Sequence, residues 1–191
     1  MSSLIYLDLS NNSFNASSLE ALIPSLPLLQ YLILRNCAMN ISYMTRLLRM
    51  VCRTTVRLFQ LLGQSPLLSK SLVKLDISEN TLSIWTVQWE NSVDIEGSEA
   101  LTNWIITRAP YTILESRMEN RTQLRQLDIA KCQVYFSPLI KALSKDEIHI
   151  NSLDISGNLI SEDAFMALNP LISSGKIQFI GLGNMKVFDR L

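Results

Sequence analysis

A single histidine in 191 residues leaves this chain poorly equipped for acid–base chemistry. That residue, His149, stands next to Ile150 with no nucleophile motif or sharp glycine elbow near it, so no Ser-His-Asp or Cys-His unit can be read. No Cys/His group has the spacing of a zinc site, and no Walker loop is present. Only three cysteines occur, Cys37, Cys52 and Cys132, too few for a disulfide framework and better read as reduced thiols. Charge of one sign is also missing: 17 basic residues meet 17 acidic ones, so global electrostatics favour neither a nucleic-acid nor a polyanion binder. No apolar run is long enough to span a membrane. The opening residues MSSLIYLDLS lack the basic and apolar regions of a secretory signal and already carry Asp8. The expected setting is therefore cytoplasmic, and the sequons at Asn11, Asn15, Asn40 and Asn120 are read as chance tripeptides in a chain rich in Asn and Ser.

What the chain does have is one pattern used six times: apolar-x-x-apolar-x-apolar-x-x-(Asn/Cys/Met)-x-apolar. It reads Leu4-Leu7-Leu9-Asn12-Phe14, Leu29-Leu32-Leu34-Cys37-Met39, Leu72-Leu75-Ile77-Asn80-Leu82, Leu124-Leu127-Ile129-Cys132-Val134, Ile150-Leu153-Ile155-Asn158-Ile160 and Ile177-Ile180-Leu182-Met185-Val187. The alternating apolar pair places two side chains on one face of a short strand. The Asn or Cys that follows sits where the chain leaves the strand, where an amide can satisfy backbone groups that no ladder reaches, so stacked units carry an internal polar column. A cysteine serves there as a small buried thiol.

Successive units start near residues 4, 29, 72, 124, 150 and 177, at intervals of 25, 43, 52, 26 and 27. The short intervals fit one strand and one helix. Their helices are expected from Leu19, Leu22, Ile23 and Leu26 behind the cap candidates Ser17 and Ser18, from Leu139, Ile140 and Leu143 behind Ser137 and Pro138, and from Phe165, Leu168, Leu171 and Ile172 behind Ser161, Glu162 and Asp163. The long intervals hold inserted structure at about 40–70 and 83–122.

This pattern resembles the leucine-rich repeat, and its alternation of Asn with Cys resembles the ribonuclease-inhibitor subtype, in which a helix follows each strand on the convex side. The resemblance implies an α/β fold: a right-handed solenoid, or horseshoe, with a parallel concave β-sheet, convex helices and two irregular insertions. Residues 1–191 are read as one such domain, 48% hydrophobic, whose opening and closing strands without capping units suggest a fragment of a longer protein.

Three surfaces are candidates for a protein partner. On the concave face, Asp8, Asp76, Asp128 and Asp154 form one column, with Ile33 after the first of them and Gly181 after the last, and Tyr6 and Tyr31 belong to the neighbouring column. These carboxylates read either as an acidic seam for a basic segment or as Asp bonded locally to Ser10, Ser78 and Ser156. From about Ile41 to Leu62 a long amphipathic helix is expected, with Arg46, Arg49, Arg53 and Arg57 on one side, either an anion-binding stripe or a solvated face. All three tryptophans, Trp85, Trp89 and Trp104, lie in the second insertion, as interface anchors or as cover for its own core. Gly181-Leu182-Gly183 is not a phosphate loop, because Leu182 is a repeat anchor and both glycines fall on the sheet.

Across most of its length, from LIYLDLSNNSF through LVKLDISEN to DEIHINSLDISGNLI and KIQFIGLGN, the chain resembles the repeat domain of the capping-protein, Arp and myosin-I linker (CARMIL) family. The segment Glu147-Ile148-His149 before Ser152-Leu153-Asp154-Ile155-Ser156, then Ile177-Gln178 and Leu182-Gly183, is the most specific part. The resemblance implies a non-catalytic scaffold without cofactors, in large cytoplasmic, cytoskeleton-associated regulators of actin assembly, with actin-regulatory partners, a possible homodimer, and membrane contact only through flanking domains. No functional residue carries over, because the family's capping-protein-binding motif has no counterpart here. The alternatives are a recognition arm of ribonuclease-inhibitor, innate-immune or ubiquitin-ligase type and a structural subunit of a large assembly.

Overall fold

The computed structural model describes residues 3–13, 16–37, 56–80, 96–107, 124–132, 136–144 and 150–188. Six strands of three residues each, β1 (Tyr6–Asp8), β2 (Tyr31–Ile33), β3 (Lys74–Asp76), β4 (Gln126–Asp128), β5 (Ser152–Asp154) and β7 (Phe179–Gly181), form one parallel sheet in that order. Each repeat pattern supplies one strand. The register sets Leu7, Leu32, Leu75, Leu127, Leu153 and Ile180 side by side in a single apolar column. In the inner strands that column is fully buried, and each such leucine contributes roughly 1.5–3 kcal/mol relative to an exposed one. The flanking residues of each triplet point to the opposite face, because side chains alternate along a strand.

Helical segments follow the strands: α1 (Ala16–Leu22) with a 3-10 turn at Ile23–Ser25, α2 over 56–64, α3 (Pro66–Ser71), α4 (Glu96–Thr107), α5 (Phe136–Leu143), α6 (Glu162–Met166) and α7 (Leu168–Ser173). Leu19, Leu58, Phe59, Leu62, Leu68, Leu101, Trp104, Leu139, Leu143, Leu168 and Leu171 from these helices share one core with the sheet's apolar column. Parallel strands linked through helices that bury one face of the sheet make this an α/β repeat fold.

Several local expectations are corrected. Ser17 and Ser18 lie inside α1 and do not cap it. In the last helical interval the buried positions are Ala164, Leu168 and Leu171, whereas Phe165 and Ile172 are exposed. The chain breaks there into α6 and α7, which rotates the inward stripe. Ser161 does cap α6, its hydroxyl accepting from Ala164 N at 3.3 Å, with Glu162 and Asp163 in the first turn where the helix dipole favours them. A second, two-stranded parallel sheet joins β6 (Leu159–Ser161) to β8 (Lys186–Phe188). Gly181 belongs to β7, but Gly183 lies in the turn after it. Of the helix expected near 41–62, only the part from 56 lies within the described residues, and it runs on to 64.

The polar column is continuous. Asn80 Nδ2 donates to Leu34 O (2.8 Å) of the preceding unit and to Ile77 O (2.7 Å) of its own, while its Oδ1 accepts from Cys37 N (3.1 Å). Asn158 repeats this with Ile129 O (2.9 Å), Ile155 O (2.8 Å) and Cys132 N (2.8 Å). The cysteines take the same place by other means: Cys37 Sγ lies 3.2 Å from Leu9 O. Immediately before the column, Asn11, Asn36, Glu79, Lys131, Gly157 and Asn184 all adopt positive φ, one per unit, where the backbone turns off the strand.

Candidate functional site

The sheet face opposite the helices carries two columns. The first is Tyr6, Tyr31, Lys74, Gln126, Ser152 and Phe179; the second is Asp8, Ile33, Asp76, Asp128, Asp154 and Gly181. All of these positions except Ile33 remain exposed or half-buried. Tyr6 and Tyr31 are adjacent, with ring centroids 6.0 Å apart and planes tilted by 35°, and both rings are exposed. Such tilted pairs form rigid apolar platforms with two wettable hydroxyls.

The aspartates divide into two kinds. Asp8, Asp76 and Asp154 each turn one oxygen to the backbone two residues on, accepting from Ser10 N (2.9 Å), Ser78 N (3.0 Å) and Ser156 N (2.9 Å). Asp8 also accepts from the Ser10 hydroxyl at 2.6 Å, and these bonds hold its carboxyl below the usual carboxylate range. In each of these three, local bonding orients the carboxylate. Asp128 differs. Lys74 Nζ lies 3.0 Å from its Oδ2, and Gln126 Nε2 donates to the same oxygen at 3.1 Å. Burial nonetheless pushes the Asp128 carboxyl up, outweighing the lysine. Asp128 is spent inside the protein, so the acidic column is interrupted where Lys74 crosses it.

Gly181 closes this column because a side chain there would run into the Asp154 carboxylate. The neighbouring Ser156 hydroxyl accepts from Gly183 N at 3.0 Å. Along the turn edge of the face, Arg35 donates to Glu79 Oε1 (2.7 Å), and Lys131 Nζ approaches the same oxygen at 3.3 Å. Arg35 first and Lys131 second hold the Glu79 carboxyl below its ordinary value. Sequence periodicity gives no hint of this ion bridge across three units, since its members lie in the turns after β2, β3 and β4, 44 and 52 residues apart.

The other candidate surfaces are only partly visible. Arg46, Arg49, Arg53, Trp85, Trp89, Cys52 and His149 lie outside the described residues. Arg57 is not a free member of a stripe: its Nε donates to Glu20 of α1 at 2.8 Å and its Nη1 to Gln60 at 3.3 Å, tying α2 to α1. Trp104 is buried against Phe59, centroids 5.7 Å apart, so this tryptophan joins α4 to the main core. Both described cysteines are buried. Burial pushes the Cys37 thiol up, and the Cys132 thiol up to about 12, which leaves neither a reactive thiolate. Among the described residues no group of three His, Cys, Asp or Glu side chains is arranged to hold a metal ion, and no helix is long and apolar enough to cross a membrane.

The family model for the Leucine Rich Repeat matches residues 3–26, the stretch that holds β1, the turn after it, α1 and its 3-10 extension. The match supports a leucine-rich repeat protein, and the same strand–turn pattern recurs in register through β7. Among curated proteins, no match was found. The leucine-rich repeat motif points to a protein–protein interaction module.

Proposed function

We propose that residues 1–191 form one leucine-rich repeat domain, curved as a right-handed solenoid, that acts as a non-catalytic protein-interaction scaffold. Its open sheet face receives the partner. The observation that carries this reading is the contrast between the two faces: one is sealed by helices over a column of buried leucines, while the other keeps the Tyr6–Tyr31 platform and three carboxylates unburied. Aromatic side chains on a rigid frame lose little entropy on binding and are the usual anchors of an interface. The carboxylates of Asp8, Asp76 and Asp154 favour a partner with basic residues. The resemblance to the CARMIL repeat domain supports a cytoplasmic, actin-regulatory setting, and it is the sequence alone that supports it.

The test is affinity capture from cell extract with the native protein and with two variants, Tyr6→Ala/Tyr31→Ala and Asp8→Lys/Asp76→Lys/Asp154→Lys, followed by binding curves for the proteins captured. At least one captured protein should bind directly and lose tenfold or more in affinity to both variants. Direct partners that bind all three forms equally would defeat the open-face site. Capping protein, actin or their regulators among those partners would support the cytoskeletal setting, and their absence would remove it.

A further inference from the structure

We propose, resting on the open-face reading above, that this face is matched to a polyproline II segment carrying two arginines three residues apart, one for Asp76 and one for Asp154, with prolines seated on Tyr31 just before the first of them. The strands involved, β2 to β5, each have a paired neighbour on both sides, so the exposure of their outward residues is a property of the face and owes nothing to the outer edges of the sheet.

Charge sets the chemistry of the partner. Asp76 and Asp154 are half-buried, each carboxylate is oriented by the backbone N–H of the serine two residues on, and among the described residues no basic side chain pairs with either. Between them stands Asp128, already occupied by Lys74 at 3.0 Å and by Gln126 at 3.1 Å. The column therefore runs acceptor, neutral pair, acceptor. On the far side of Asp76 the charge stops, because its register partner on β2 is Ile33, with Tyr31, 36% exposed, beside Lys74. Guanidinium on carboxylate and proline on tyrosine are the pairings that such groups favour.

Spacing sets the partner's conformation. Neighbouring strands lie about 4.8 Å apart, so Asp76 and Asp154, two strand intervals apart in one column, are separated by roughly 9.6 Å, and a ligand that meets both must cross the strands. A polyproline II chain rises about 3.1 Å per residue with three residues per turn, so every third side chain returns to the same side after about 9.3 Å. A β-strand ligand returns like-facing side chains after about 6.7 Å and 13.4 Å and misses the interval from both sides. An α-helix matches it only over two turns, about 10.8 Å, and then lowers the intervening turn onto the Lys74–Asp128 pair. Its carbonyls are also spent internally, whereas those of a polyproline II chain are open to the Ser152 hydroxyl, which belongs to the other column of the same face. The two ligand residues between the arginines pass over Lys74, which repels any cation placed there. A continuous basic run is thus disfavoured and the spaced pair selected.

The experiment is fluorescence anisotropy of the native protein with three labelled peptides of equal charge: a proline octapeptide with arginines at its third and sixth positions, the same with arginines adjacent, and a longer alanine-rich helical peptide with arginines seven apart. The spaced proline peptide should bind at least fivefold more tightly than the other two. Asp76→Asn and Asp154→Asn should each reduce it to the level of the adjacent peptide, with unchanged circular dichroism because the amide oxygen still accepts from the serine N–H. Tyr31→Ala should weaken it at least fivefold, and Lys74→Ala should narrow the gap by letting the adjacent peptide bind more tightly. Glu162→Gln, the same change of charge on α6, should alter nothing. Equal binding of the spaced and adjacent peptides, tighter binding of the helical one, no binding of the spaced one, or indifference to either aspartate variant would overturn the proposal. Proteins captured from extract that still lose affinity to the face variants would then leave the open-face site standing without this ligand, so the two readings fail separately.

Discussion

The thiol of Cys132 points back into the preceding unit and donates to the carbonyl of Ile77, 3.1 Å away. One unit further on, the Asn158 amide performs the same task for Ile129. A weak donor and a strong one alternate in one column, and the strong one also collects the backbone N–H of the weak one's residue. The alternation is therefore functional in the fold: each Asn bridges two units, and each Cys fills the space between bridges without demanding a further partner.

That account predicts a graded series. Asn158→Ala strands the Cys132 N–H and two carbonyls in a buried site, and Asn80→Ala does the same to the Cys37 N–H. Each should cost about 3 kcal/mol, within the range for orphaning buried polar groups. Asn12→Ala, whose side chain is exposed just after the turn that follows β1, should cost well under about 1 kcal/mol. Urea denaturation at low protein concentration measures all three. Equal costs for Asn12 and Asn158 would show that burial and bridging are not what the column supplies.

The same column predicts silence toward thiol reagents. With its thiol pushed up to about 12, Cys132 stays protonated at pH 8, and it is buried besides. Iodoacetamide labelling followed by peptide mass mapping should modify Cys132 only through unfolding, so its rate should rise steeply across the urea transition. Labelling in native buffer at the rate seen in denaturant would contradict the burial of this position.

Asp128 and Glu79 should give pH dependences of opposite sign. The Asp128 carboxyl is raised in the folded protein by burial, so the native state holds that proton more tightly than the unfolded chain. Its contribution to stability is most favourable below the ordinary carboxylate value and declines as pH rises through the folded one. The stability of the native protein relative to Asp128→Asn should thus fall between pH 4 and pH 7. Glu79 is lowered by Arg35 and Lys131, so its contribution is present above the ordinary glutamate value and is lost as pH drops through the folded one. Relative to Glu79→Gln, the native protein should gain stability from pH 3 to pH 6, with a small amplitude because the ion bridge is solvated. Chemical denaturation at those pH values reads both slopes, and a shared sign would show that burial does not dominate at Asp128.

The strands and the polar column were legible in the sequence because their period survives insertion. Leu75 and Leu127 are 52 residues apart yet lie side by side, and the pattern around each identifies it alone. Helix faces were less legible. In α6 the inward residue is Ala164, too small to register as part of an apolar stripe, while the conspicuous Phe165 faces out. The pairing of Lys74 with Asp128 was hidden for another reason: it runs diagonally between adjacent strands, and only the register reveals that a lysine from one unit reaches the carboxylate of the next. The β6–β8 pair is hidden in the sequence because Ile160 and Val187 complete the repeat pattern and at the same time lie in strands of their own.

Trp104 decides whether the long interval before β4 is an appendage or part of the folding unit. Its indole is 3% exposed, lies against Phe59 of α2, and sits with Leu101 and Ile105 in the same core as the leucine column. α4 in turn packs along α5 of the following unit. Were α4 an independent excursion, removing this side chain would loosen α4 alone and leave the urea transition of the rest in place. Because the ring bridges two units, Trp104→Ala should instead lower the stability of the whole domain by about 3–5 kcal/mol, the usual cost of deleting a large buried aromatic. Far-ultraviolet circular dichroism and the labelling rate of Cys132, which lies between α4 and α5 in sequence, should report one coincident transition shifted to lower urea. A Cys132 transition that does not move would place α4 outside the cooperative unit. The leucine column would then hold the sheet together without help from the insertion.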